Sequence, residues 1–153
     1  MKKVYLACSF ACEDKVTCEK RKFWMQEAYN ILEEKGFEVY NPSKLKIENA
    51  WDYSYWDWGN LVFQEDLRNL DECDMVVYLS YGKANNDGSV WEDAYAYASG
   101  KPVLVVSMNP DSPESLMVLH SAWACIDGIY KSGGLCDYDF KEMPRTRVER
   151  IES

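Results

Sequence analysis

The sequence predicts a single-domain α/β fold, Rossmann- or flavodoxin-like, with a parallel sheet of about five strands and helices on both faces. Three observations point there. Short apolar runs alternate with segments of helical spacing along the chain, and strands separated by helices call for right-handed crossovers and a parallel sheet. The chain has 153 residues, a length that suits one domain, and its 47% hydrophobic and 14% aromatic content is too rich for a disordered chain. No repeat, low-complexity tract or linker divides it, so residues 1–153 read as one domain.

Taken in order, Lys3 to Ser9 is an apolar run suited to a buried strand. Thr17 to Lys35 has helical spacing, with Phe23, Ala28, Ile31 and Leu32 toward a core and Gly36 as its stop. Phe37 to Tyr40 reads as a second strand, ended by Pro42. The tryptophan-rich stretch Trp51 to Trp58 reads as a loop, after which Asn60 to Glu72 returns to helical spacing through Leu61, Phe63, Leu67 and Leu70. Met75 to Ser80 predicts a third strand, Ser89 to Ser99 a helix closed by Gly100, and Pro102 to Ser107 a fourth strand. Beyond it, Pro113 to Ala124 is expected to be helical and Ile126 to Tyr130 to form a last strand, while Val148 to Ser153 is too short to place. In open α/β sheets the ligand sits beyond the carboxyl ends of the strands, where strand order reverses. That rule directs attention to Ser9 to Asp14, Ser80 to Glu92 and Ser107 to Glu114.

Charge narrows the partner. The formal net charge is −9, from 17 basic and 26 acidic side chains, and residues 51–100 carry 2 basic and 10 acidic, hence −8 of the total. A surface this acidic repels a phosphate backbone, which argues against nucleic-acid polymer and leaves small nucleosides or nucleotides open. No apolar run approaches the roughly 20 residues that span a bilayer, and Val4 to Ala7 is too short for a signal peptide. A cytoplasmic protein with no membrane partner is expected. The six cysteines, Cys8, Cys12, Cys18, Cys73, Cys125 and Cys136, contain no C-x-x-C pair, and the lone His120 completes no zinc pattern. They read as buried or incidental reduced thiols, and no metal is expected.

Two carboxylates stand out. The loop from Asn85 to Glu92 runs from a strand into a helix and brings Asp87 and Glu92 to the ligand-binding edge, without dinucleotide or phosphate-loop glycine signatures. Ser89 and Glu92 also fit an S-x-x-E capping box, in which the glutamate merely caps the helix. Asp66 lies among Glu65, Asp71, Glu72 and Asp74, a grouping that a solvated acidic face explains equally well. The aromatic stretch holding Trp56 suits either stacking on a nucleobase or packing at a subunit interface. His120, after an apolar run, reads as a satisfied, half-buried histidine.

Three segments together resemble the nucleoside 2-deoxyribosyltransferase family. Lys3-Val-Tyr-Leu-Ala is similar to the family's opening strand with its tyrosine, and Trp58 to Val77 covers the helix on which the family places an aspartate. Asp87-Gly-Ser-Val-Trp-Glu-Asp-Ala-Tyr-Ala-Tyr-Ala-Ser-Gly-Lys-Pro-Val resembles the family's D-x-G-T-x-x-E-x-G-Y-A-x-x-x-G-K-P-V pattern, the most specific of the three. The resemblance covers about two-thirds of the chain in matching order. It implies that Glu92 is the nucleophile, Asp66 the aspartate near the base, and Tyr5 the tyrosine that positions the nucleophile.

The chemistry implied is transfer of a 2-deoxyribosyl group between nucleobases through a covalent glutamyl ester, with net retention and no metal or redox cofactor. A glutamate held at a helix N-terminus can remain ionised for that role. Its partners are a deoxynucleoside or deoxynucleotide and a free base, in nucleotide salvage. The resemblance places sugar contacts at Asn86, Asp87 and Gly88, and at Ser115 and Met117 reaching a neighbouring subunit's site, so a homo-oligomer of at least two chains is expected. The sequence departs from the pattern at three points. The family's aspartate six residues before the nucleophile falls on Asn86, with Asp87 one place later; Asn-Leu-Met becomes Ser115-Leu116-Met117; and Asp93 replaces a small or apolar residue. Related deoxynucleoside 5'-monophosphate N-glycosidases carry serine at the Ser115 position, where it contacts phosphate, which makes nucleotide hydrolysis the alternative. Residues 51–100 hold only Arg68 and Lys83 as cations, which favours the transferase.

Overall fold

The computed structural model describes residues 2–9, 14–83 and 86–142. Five strands, β1 (Lys3–Cys8), β2 (Glu38–Tyr40), β3 (Met75–Ser80), β4 (Val103–Ser107) and β5 (Ala124–Asp127), alternate with four helices, α1 (Lys15–Glu34), α2 (Tyr55–Glu72), α3 (Asp87–Ala98) and α4 (Leu116–Ser121). All strand pairs are parallel, in the order β2-β1-β3-β4-β5. The chain steps from β1 outward to β2 and then returns to β1's other side at β3, so the carboxyl ends of β1 and β3 flank a crevice. This is the predicted α/β architecture.

Side-chain alternation divides the core in two. Val4, Leu6 and Cys8, with Val77, Leu79, Leu104 and Val106, face one layer, where Met25, Ala28, Ile31 and Leu32 of α1 cover them. Ile129 and Leu135 complete that layer, and the Lys35 ammonium ties their segment to α1 by donating to the carbonyls of Cys136 and Tyr138 at 3.0 and 3.3 Å. Tyr5, Ala7, Val76, Tyr78, Val103 and Val105 face the other layer, against Leu70 of α2, Ala96 of α3 and Val118 of α4. Because β1, β3 and β4 are buried on both faces, their sequences are continuous apolar runs rather than alternating ones.

Caps correct several boundaries. Asp14 accepts from the Thr17 amide at 2.8 Å, so α1 opens at Lys15, and Gly36 at φ 93° follows its end. Phe23, expected in the core, is exposed. Ser54 accepts from the Asp57 amide at 3.1 Å and starts α2 at Tyr55, so the tryptophan-rich stretch is a 3-10 turn at Ala50–Asp52 followed by helix, and not all loop. The far end of α2 is held by Lys101, whose ammonium takes the Leu70 and Asp71 carbonyls. Ser115 caps α4 through the Val118 amide, leaving it shorter than Pro113 to Ala124. β5 pairs with β4 two residues earlier than the apolar run at Ile126 suggests, and Gly128 at φ 67° follows its end.

At the carboxyl edge, Gly82 has φ 93°, and a Cβ there would lie 2.7 Å from the Ser112 carbonyl oxygen. Only glycine lets the β3–α3 loop come this close to the β4–α4 loop. Cys18 is disulfide-bonded, against the expectation of thiols throughout, whereas Cys8, Cys73, Cys125 and Cys136 are free. Among the described residues no helix is long and apolar enough to cross a membrane. Val148 to Ser153 lies outside the described residues.

Candidate active site

The site is built outward from the middle of β1. Tyr5 is fully buried and points to the face that α2 and α3 cover. Register pairs it with Tyr40 of β2, which sets the two rings side by side with centroids 5.3 Å apart. Each phenol then serves a carboxylate from a different helix. Tyr5 donates to Oε2 of Glu92 on α3, and Tyr40 donates to Oδ1 of Asp66 on α2 at 2.8 Å. Above them lies a cavity of about 710 Å³. Its walls come from Cys8 and Ser9 after β1, Pro42 after β2, Phe63, Asp66, Leu67 and Leu70 on one side of α2, and Asp87, Gly88, Ser89, Trp91 and Glu92 on α3.

Burial dominates the electrostatics. It pushes the Glu92 carboxyl up to about 7; the Tyr5 hydroxyl opposes that by stabilising the anion, and the Asp66 charge adds to it. Asp66 is also raised by burial, with the Tyr40 hydrogen bond pulling the other way and Glu65 adding. Burial, then the Glu92 charge, raises the Tyr5 phenol, which therefore remains a donor. The two neighbouring carboxyls thus both resist ionisation, chiefly through burial. The help that a helix N-terminus gives to an ionised Glu92 is weak here. α3 begins at Asp87, so Glu92 stands in its second turn, beyond the reach of the terminal dipole, and desolvation wins.

The same boundary disposes of the capping box. Asn86 holds the N-cap position, Ser89 is buried within the first turn, and the Glu92 carboxyl is engaged by Tyr5. Asp66 is half-buried and hydrogen-bonded, which removes it from a solvated acidic face. Asp87 and Gly88 line the cavity, while the Asn86 amide donates to the Gly82 carbonyl at 2.8 Å, away from it. Trp56 does not line the cavity; the early start of α2 leaves it 83% exposed. Ser115 and Met117 are also apart from the cavity within one chain, with Met117 82% exposed on α4. His120 is exposed, not half-buried. Of the expected edge segments, residues 10–13 and 84–85 lie outside the described residues.

Sequence reasoning missed Tyr40, whose part depends on its register with Tyr5, and it gave Phe63, Leu67 and Leu70 helical spacing without showing that they line a cavity. Trp91 and Pro42 had no signal of their own. Asp93, next to Glu92, is only 2% exposed, its Oδ1 has no hydrogen-bond partner, and burial pushes it up to about 7. Among the described residues no cluster of His, Cys, Asp or Glu is placed to hold a metal ion.

The five-stranded parallel sheet in the order β2-β1-β3-β4-β5 is a fold the chain shares with known proteins. The model of the nucleoside 2-deoxyribosyltransferase family covers residues 4–142. The chain belongs to that family. Membership places it among enzymes that process nucleosides or nucleotides. No curated protein matches it in sequence. Among solved structures, a 2-deoxyribosyltransferase from Bacillus psychrosaccharolyticus has a TM-score of 0.73 at 23% identity, covering 96% of this chain and 99% of that one. A conserved protein from Enterococcus faecalis has a TM-score of 0.61 at 17% identity over 84% and 92% of the two chains. A CMP N-glycosidase from Clostridium botulinum has a TM-score of 0.57 at 20% identity over 88% and 96%. At these identities the likeness establishes the fold this family member shares with them.

Proposed function

We propose that this family member transfers a 2-deoxyribosyl group between nucleobases, with Glu92 as nucleophile. The observation that carries the reading is the buried Glu92 carboxyl, held by Tyr5 and sharing one cavity with Asp66. In the first step a Glu92 oxygen attacks the anomeric carbon, the bond from that carbon to the base nitrogen breaks, and a proton from Asp66 goes to the departing base. In the second step an incoming base attacks the same carbon, the ester bond to Glu92 breaks, and Asp66 takes back a proton. Two inversions give retention. Tyr5 orients the attacking carboxylate by donating to its other oxygen. Asp87, at the cavity wall, replaces Asn86 as the polar contact to the sugar, and Ser115 and Met117 serve the site of a neighbouring subunit in a homo-oligomer. The setting is cytoplasmic nucleotide salvage.

Hydrolysis of 2'-deoxynucleoside 5'-monophosphates is the second reading, favoured by the serine at position 115. Against it, the cavity wall among the described residues contains no lysine or arginine to meet a phosphate. Incubation with 2'-deoxynucleosides, their 5'-monophosphates and an excess of a different free base, resolved by liquid chromatography, separates the two. New deoxynucleoside carrying the added base supports transfer. Free base released only from monophosphates supports hydrolysis, and no product that depends on Glu92 in either arm defeats both.

A further inference from the structure

Phe63 of α2 and Trp91 of α3 meet edge to face in the cavity wall, with ring centroids 5.5 Å apart at 67°. Each keeps close to half of its surface free, 44% and 46%. Trp91 is also braced from behind. It stacks on Tyr95 with centroids 5.4 Å apart and planes 10° from parallel, and the Tyr95 hydroxyl is fastened to Asp71 of α2. Trp91 immediately precedes Glu92, and Phe63 lies one helical turn from Asp66. Two half-exposed aromatic side chains in mutual contact, one of them fixed in place, thus border the two carboxyls.

The polar side chains on the described wall are few. Glu92 and Asp87 are committed to the sugar in the reading above, and Ser89 is buried, which leaves Asp66 and Ser9 to meet the edges of a base. A site that reads edges by hydrogen bonds rejects a wrong ligand strongly, whereas a stacking surface accepts any heteroaromatic ring because every base has a π-face. We infer that Trp91, with Phe63, forms the platform on which the nucleobase stacks, and that this platform supplies most of the affinity for purines and pyrimidines alike. The inference rests on the cavity being the nucleobase site.

Isothermal titration of the intact protein with free adenine, hypoxanthine, cytosine and thymine, one at a time, tests it without chemistry, because no sugar donor is present. The wild type binds all four with dissociation constants within about ten-fold of one another. Trp91→Leu weakens each by about ten-fold or more, and Trp91→Phe restores most of the loss. If Trp91→Leu does not fold, Phe63→Leu carries the test, with a smaller loss across all four bases. Unchanged binding in the folded variants, or a loss confined to one base or one ring class, overturns the platform while leaving the transfer reading intact. A wild type that binds no base overturns the assignment of the cavity itself.

Discussion

On the α1 side of the sheet, β1 sends Val4, Leu6 and Cys8 into a layer closed by Met25, Ala28, Ile31 and Leu32, and the ring pair Phe37–Phe140 packs against it. On the α2 and α3 side the same strand sends Tyr5 toward two carboxyls and a cavity of about 710 Å³. One face follows the rules for a stable core. The other breaks them, burying phenols and acids whose desolvation is unfavourable and leaving space unfilled. Such departures are sustained where function needs them, and here Tyr5, Tyr40, Asp66 and Glu92 gather on the α2 and α3 side.

Substitutions can test that division. Glu92→Ala should have the largest effect, lowering turnover by at least about 10³-fold, as loss of a nucleophile does, with the circular dichroism spectrum unchanged. Asp66→Asn should lower it by roughly 10²-fold through slower departure of the base, while a ligand still binds in a titration. Tyr5→Phe should act through pH. Glu92 must lose its proton to attack, so wild-type kcat/KM should rise with pH through about 7. The Tyr5 hydroxyl favours the ionised carboxyl, so its removal raises the Glu92 pKa and moves the rising limb to higher pH in a rate profile.

The opposite face should respond in the opposite currency. Leu6→Ala should destabilise by about 2–5 kcal/mol in urea denaturation, yet leave the rate per folded molecule within about two-fold of wild type. A large loss of rate at full folding would show that the two layers are not separable. Asp93→Asn should have the smallest effect on rate and a pH-dependent one on stability. The folded chain keeps the Asp93 proton up to about 7, whereas the unfolded chain releases it near 4, so stability falls as pH rises between those values. The variant lacks that loss. Its advantage over wild type should therefore grow from pH 5 to pH 8, by a few kcal/mol at most, in thermal unfolding followed at both pH values.

How legible each part was in the sequence follows from what fixes it. Met75 to Ser80 was read with its observed limits because β3 is buried on both faces and the signal is continuous. The start of α2 was missed because the Ser54 cap sits inside an aromatic cluster that reads as loop. Asp66, Glu92 and Tyr5 were singled out through a resemblance, which says nothing of the Tyr40 that holds Asp66. The capping box failed because α3 starts two residues before the apolar spacing shows it, and Tyr40 was invisible because cross-strand register is set by the whole sheet. Ser115 and Met117 belong, in the proposal, to a neighbouring chain's site, which no property of a single chain displays.

The central claim is that Glu92 carries the sugar between bases, and rapid acid quench of the protein with a 2'-deoxynucleoside, followed by proteolysis and mass spectrometry, tests it most directly. A 2-deoxyribosyl group on the peptide containing Glu92, chased off by an added free base, is the predicted result. Steady product formation with no adduct on that peptide, or an adduct on another residue, would contradict it.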